Sequence, residues 1–243
     1  MRRWINDRRI RWEWEAAGYD RARTKVYATE WTQDEEAVTV TSTYSLAAVY
    51  LQRIIEGPLL ESCQDGTLTV TVDGERKPVH VPLAKTPLPK MPFLPRFGLR
   101  LFLEPTFADV TYFGYGPIES YPDKHHDAKL GLYTSDVDSL HEDYLRPQEN
   151  GSHWNCSGLA LTASDHRSLL VSGAQNFSFS ASRYTQEELT TKAHSFELEK
   201  SPYTVLCLDG YMSGCGSNSC GPALAKEYRV DQDKLSFTFT LNF

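Results

Sequence analysis

The chain has 243 residues, 40% hydrophobic and 23% charged, which is too apolar for disorder and long enough for one large β domain or two small ones. Its formal net charge is -7 and its Lys and Arg residues are scattered, which excludes a phosphate-neutralising stripe and with it a nucleic-acid partner. No apolar run approaches the roughly 20 residues that span a bilayer, and Met1–Asp7 lacks the apolar stretch of a signal peptide, so no membrane association is expected.

Taken in chain order, Arg9–Ala17 has helix-forming composition and is stopped by Gly18. The basic residues Arg2, Arg3, Arg8, Arg9 and Arg11 are interleaved with Trp4, Trp12 and Trp14. Asp7, Glu13 and Glu15 break the cluster up, which reads as a solvated helix face rather than an RNA-binding patch. Ala37–Tyr44 and Thr67–Asp73 alternate apolar and polar residues as half-buried strands do, with Asp73-Gly74 read as the turn that follows. Prolines 78, 82, 87, 89, 92, 95 and 105 suit loops and edges, because proline donates no backbone hydrogen bond. Leu88, Met91, Phe93 and Leu94 among them favour a packed crossover over a linker.

Further strands are expected at Leu99–Leu103, Asp109–Phe113, Leu159–Thr162, Leu169–Gly173, Phe177–Ala181, Tyr203–Leu208 and Leu235–Phe243. Thr185-Gln-Glu-Glu188 resembles a capping box and opens a short helix through about Ala193. Many short strands separated by turns predict an all-β antiparallel sandwich with one or two short helices. Cys63, Cys156, Cys207, Cys215 and Cys220 are odd in number and lack a C-x-x-C pair, so reduced thiols in a cytoplasmic protein are expected. The sequons at Asn150, Asn155 and Asn176 would matter only in a secreted chain.

Few residues carry a chemical signal. Glu119, Asp123, Glu142 and Glu149 each sit beside Gly or Pro in turn-rich segments, where carboxylates cap backbone amides. His125 and His126 are adjacent and, on an extended segment, point to opposite faces, which does not suit one metal. The loop Gly210–Pro222 alternates glycines with Ser213, Ser217, Asn218 and Ser219. Such a backbone lets a hydroxyl-rich ligand approach closely, and the same composition equally describes a hairpin tip that binds nothing.

Five segments carry a resemblance. Tyr112-Phe-Gly-Tyr-Gly-Pro-Ile-Glu-Ser-Tyr-Pro-Asp-Lys124 resembles the W-x-G-x-G-P-x-E-x-Y-x-D-R signature of the last domain of glycoside hydrolase family 2 β-galactosidases. Tyr144–Gly151 is similar to that family's Y-x-x-P-x-E-N-G segment, and Phe179–Leu189 to its F-x-x-S-x-Y-x-x-x-x-L segment. Asp209–Pro222 is similar to its D-G-x-x-x-G-x-G loop, and Trp14–Tyr19 to W-x-x-A-G-[YH]. Asn6-Asp7-Arg8 resembles the end of an upstream D-N-D-R, a start that points to a chain shortened at its N-terminus. The sequence departs from the family at Tyr112 (usually Trp), Lys124 (usually Arg) and Cys220 (in many members a sugar-lining Trp).

The resemblance implies a galactose-mutarotase-like super-sandwich over residues 1–243. It also implies that both catalytic glutamates lie in a preceding (β/α)₈ barrel, a pattern this chain lacks. The expected role is a non-catalytic domain or small subunit that meets the large portion of the enzyme, completes the galactoside site and builds the subunit interface of an oligomer. Gly216, Asn218, Ser219 and Cys220 are the expected sugar-contacting residues. No catalytic or metal-ligating residue is expected in this chain, and Mg²⁺ and Na⁺ are expected elsewhere in the complete enzyme. The alternative is a stand-alone carbohydrate-binding or mutarotase-like sandwich, pairing His125 or His141 with Glu119 or Glu142 as acid and base.

Overall fold

A computed structural model describes residues 8–47, 53–76, 92–215 and 222–243. Its strands are β1 (Arg23–Gln33), β2 (Val38–Ala47), β3 (Arg53–Gln64), β4 (Thr67–Arg76), β5 (Arg96–Leu103), β6 (Phe107–Gly116), β7 (Lys129–Asp136), β8 (Ser152–Ala163), β9 (Ser168–Ser182), β10 (Thr204–Met212) and β11 (Lys234–Asn242). Two short helices accompany them, α1 (Arg8–Ala16) and α2 (Gln186–Thr191), so the expected all-β class holds.

Among the described residues every strand pairing is antiparallel, along the path β1-β2-β3-β4-β11-β9-β8-β6-β7, while β10 pairs with both β5 and β9. The 15-residue β9 makes this possible. Its first half, Leu170–Gly173, pairs with β11, and its second half, Ser178–Ser182, pairs with β10. The β5–β10 layer therefore folds over the β4–β11 layer, and Phe97 meets Phe237 edge-on across the gap at 5.4 Å. The terminal alternation does what it predicts: Leu235, Phe237, Phe239 and Leu241 all face the core. Burying each such side chain contributes roughly 1.5–3 kcal/mol.

Several boundaries differ from the sequence reading. Asp73-Gly74 is not a turn: both residues lie inside β4, opposite Ser236 and Leu235 of β11. The turn is Asp65-Gly66, whose positive φ values of 48° and 76° suit the twist of a tight hairpin. Leu169–Gly173 and Phe177–Ala181 are one strand interrupted by a bulge, and β1, β3 and β7 are additional strands. The histidines are corrected as well. Tyr121 and Lys124 close a turn, and the His125 and His126 rings lie 5.1 Å apart instead of on opposite faces.

Gly18, at φ 79°, ends α1 as expected. The indole of Trp14 donates to Phe93 O at 2.8 Å and Tyr19 OH donates to Pro92 O at 2.8 Å, so α1 is clamped onto the segment before β5. Trp14 is thus a core residue, and Phe93 and Leu94 are buried as a packed crossover requires. The earlier part of the proline-rich stretch, 77–91, lies outside the described residues. Thr185 caps α2 by accepting from Glu188 N at 3.1 Å. Glu188 does not complete the box; its carboxylate accepts from Glu199 N at 2.8 Å.

Candidate functional site

The first, second and fourth of the matching segments meet beside the start of β5. The first leaves β6 with Tyr112 sealed in the core against Tyr133, His153 and Phe179. Beyond the cis Gly116–Pro117 bond it turns Glu119 inward, where the residue is only 5% exposed. One Glu119 oxygen accepts from Lys124 Nζ at 2.5 Å and from Tyr144 OH. The other accepts from Gly151 N at 2.9 Å and, at 3.4 Å, from Tyr121 OH. Tyr144 and Gly151 belong to the second segment, so these two stretches are matched because one carboxylate holds both. Burial, with Glu119 beside it, pushes the Tyr144 phenol up to about 12.

A second buried cluster lies behind the first. Arg96, at the start of β5, forms an ion pair with Asp209 of the fourth segment and stands 3.8 Å from Glu149 of the second. Two carboxyls sharing one guanidinium in a dry site cannot both ionise freely. Burial pushes both carboxyls up, Arg96 opposes that, and the nearby Glu119 charge adds to the upward push on Glu149.

Glu119, Glu149, Asp123, Tyr144, Cys215 and Tyr228 line a cavity of about 560 Å³, and Pro222 lies on its wall. The loop Gly210–Pro222 is rooted here. Asp123 accepts from Cys215 N at 2.8 Å, and a Cβ on Gly214 would run into the Asp123 carboxylate. Ser213 is spent on structure: its hydroxyl donates to Leu94 O at 2.6 Å and accepts from Val230 N at 2.9 Å. A Cβ on Gly210 would strike the Phe237 ring. Two of the loop's glycines are therefore required by packing, not by ligand approach. Gly216, Asn218, Ser219 and Cys220 lie outside the described residues.

Glu119 and Asp123 do cap backbone amides, as their turn-rich settings predict, whereas Glu149 faces Arg96 and exposed Glu142 leaves its own amide to Asn150 Oδ1. The acid–base pairs weighed for mutarotation do not form. His125 packs on Trp154 at 4.4 Å, His141 packs on Tyr184 at 5.0 Å, and neither lines the cavity with Glu119. Glu119 and Glu149 share the cavity, yet each is already committed to protein cations, so neither is set up as a nucleophile. Among the described residues no group of three His, Cys, Asp or Glu side chains is placed to hold a metal ion. Nor is any helix among them long and apolar enough to cross a membrane. Sequence reasoning missed Arg96, which no motif flags and which the pairing of β5 with β10 alone brings to Asp209.

The decisive comparison is with protein families: the family described as beta galactosidase small chain matches residues 4–241. The chain belongs to that family. It is 43% identical over 239 residues to the β-galactosidase of Actinobacillus pleuropneumoniae, covering 98% of this chain and 22% of that protein. To the β-galactosidase of Staphylococcus xylosus it is 34% identical, covering 98% of this chain and 23% of the relative. This small-chain family member thus spans less than a quarter of the length of these relatives. A solved putative aldose 1-epimerase from Escherichia coli K12 superposes with a TM-score of 0.37 at 11% identity, covering 88% of this chain and 68% of the other.

Proposed function

We propose that the chain is the non-catalytic small-chain part of a glycoside hydrolase family 2 β-galactosidase, an enzyme that hydrolyses terminal β-D-galactose residues. In this reading residues 1–243 form one domain. The domain docks on the catalytic barrel of the large portion, contributes to the oligomer interface and acts in the cytoplasm. The loop Gly210–Pro222 reaches the galactoside, with Gly216, Asn218, Ser219 and Cys220 beside the sugar. Mg²⁺ and Na⁺ belong to the large portion, and this chain holds no cofactor of its own.

The observation that supports the reading best is the fate of the buried acids. Retaining hydrolysis needs two carboxyls about 5–5.5 Å apart and available to substrate. Here Glu119 accepts from Lys124, Tyr144 and Gly151, while Asp209 and Glu149 sit on Arg96. Their work is to hold these segments together, which leaves bond cleavage to another module.

The test is to assay β-galactoside hydrolysis by the chain alone, by the large portion alone, and by the two mixed, and to measure the mass of the mixture. Turnover and a stable complex are expected only on mixing. Turnover by the chain alone, or a mixture with neither complex nor activity, would sink the proposal.

A further inference from the structure

A second cavity, of about 310 Å³, opens where β8 and β9 part company. Cys156 pairs with Phe177 and Gly158 with Ser172, so residues 173–176 stand opposite Ser157 alone. A second irregularity just before it sets Trp154 and Asn155 opposite Ser178 alone; bulges of this kind re-aim side chains, and Asn155 here lies in the left-handed region at φ 57°. The Asn155 amide is then fixed, because its Oδ1 accepts from Asn176 Nδ2 at 2.8 Å. The remaining Asn155 Nδ2 donor and Asn176 Oδ1 acceptor are left together on the cavity wall.

Trp154 supplies the neighbouring wall. Its ring centroid lies 5.3 Å from Tyr115 and 4.4 Å from His125. Those two rings are themselves only 5.2 Å apart. Rings on opposite faces of the indole would be separated by nearly the sum of the two distances, so both back the same face. The other face is left to the cavity. Arg229 and Gln232 complete the rim, and buried Asp209 and Ser178 lie toward its floor.

We propose that this cavity binds one pyranose ring of a neutral saccharide. The indole takes the apolar C–H face of the sugar, and the Asn155–Asn176 amide pair takes two vicinal hydroxyls, one as acceptor and one as donor. A volume of about 310 Å³ is at the small end for ligand pockets, which limits the occupant to a single ring instead of an extended chain. The rigidity of the wall supports the assignment, since a platform backed by two rings and an amide locked by another lose little freedom on binding. Gly210, Tyr211 and Met212 at the loop's base also line the cavity, but neither the expected sugar-contacting residues Gly216, Asn218, Ser219 and Cys220 nor a catalytic partner enters this inference, so it stands or falls separately from the proposed function.

The experiment is a titration of the ¹⁵N-labelled full chain with methyl β-D-galactopyranoside and methyl β-D-glucopyranoside, with glycerol as polyol control. The Trp154 indole and the Asn155 and Asn176 side-chain amides are followed by NMR. Saturable shifts at those three residues are expected with at least one glycoside, with a Kd on the order of 1–10 mM, and none with glycerol. Trp154→Ala and Asn155→Gly should each weaken binding at least tenfold. The glycine variant keeps the fold, because glycine adopts positive φ without strain. Absence of saturation with both glycosides, equal shifts with glycerol, perturbation confined to Gly214 and Cys215, or undiminished binding by Asn155→Gly would overturn the assignment.

Discussion

Replacing Glu119 by alanine asks whether the buried carboxylate holds the site together. Its side chain is 5% exposed, and deletion strands the Gly151 amide together with the Tyr144 hydroxyl and the Lys124 ammonium. Breaking a fully buried ion pair costs about 3–5 kcal/mol. Lys124, however, is 43% exposed and can turn to water, which discounts the Coulombic share. Losing the partner of a buried amide costs about 1–3 kcal/mol. Together these place Glu119→Ala near 3 kcal/mol. For a domain of this size, at about 2–4 °C per kcal/mol, the melting temperature should fall by about 6–12 °C.

Lys124→Met, which removes only the exposed partner and leaves three donors on the carboxylate, should cost clearly less. Thermal unfolding followed by circular dichroism reads both. A Glu119→Ala melting point within about 2 °C of the parent, or a larger loss in Lys124→Met, would refute the scaffold role. The functional arm is separate. Measured with the large portion well below the melting point, Glu119→Ala should keep activity within tenfold. Loss of a true acid or base would reduce it by about 10²–10⁴.

Other perturbations follow from the same packing. Burial raises the Glu149–Asp209 carboxyls in the folded state, so their contribution is fully present below the unfolded carboxylate range near pH 4 and is lost as pH rises through the raised values. Glu149→Gln should therefore flatten the decline in urea midpoint between pH 5 and about 7.5; an unchanged slope would contradict the buried cluster. His153 works in the opposite sense. Burial against Tyr112 and Phe179 depresses it to about 4, so its contribution is present above about pH 6.5 and is lost as pH falls toward 4. His153→Phe should reduce acid sensitivity in that window, and a midpoint with the parent's pH dependence would count against it. Gly214→Ala should push the Asp123 carboxylate off Cys215 N, costing about 1–3 kcal/mol and weakening assembly with the large portion. Calorimetry and mass measurement would check both effects, and a neutral substitution would mean the loop root is not held by Asp123.

How legible the fold was depends on where each strand lies. β4 and β11 are half-buried and alternate cleanly, so Leu68–Val72 and Leu235–Phe243 declare themselves in the sequence. β1 is an edge strand exposed along its whole length, so Arg23–Gln33 carries no apolar period to read. β3 hides behind Gly57-Pro58, which reads as a turn but passes Asp73-Gly74 so closely that a side chain on Gly57 would meet the Asp73 backbone. The same close approach explains why Asp73-Gly74 mimics a hairpin tip while lying mid-strand. At the site, turn composition correctly marked Glu119 and Asp123 as amide caps. It could not reveal that three acids from three segments are buried, since Arg96, the cation that Glu149 and Asp209 share, stands more than 50 residues from Glu149 and more than 110 from Asp209 in sequence. The Trp154–Asn155 bulge left no trace either, because irregular register has no composition of its own.

The shared strand β9 ties the fate of the two layers together. Separating β11 from it breaks the edge-on contact of Phe177 with Phe239, and freeing β10 unpairs the second half of the same strand. Partial opening of one layer is thus a poor compromise, and the molecule should melt as one cooperative unit whose last amides to exchange with deuterated water lie in β9. Chain connectivity sharpens the point, since β4 and β11 pair across 157 residues of intervening sequence. Such distant closure makes for slow folding, so a nascent chain remains sticky until β11 has been made.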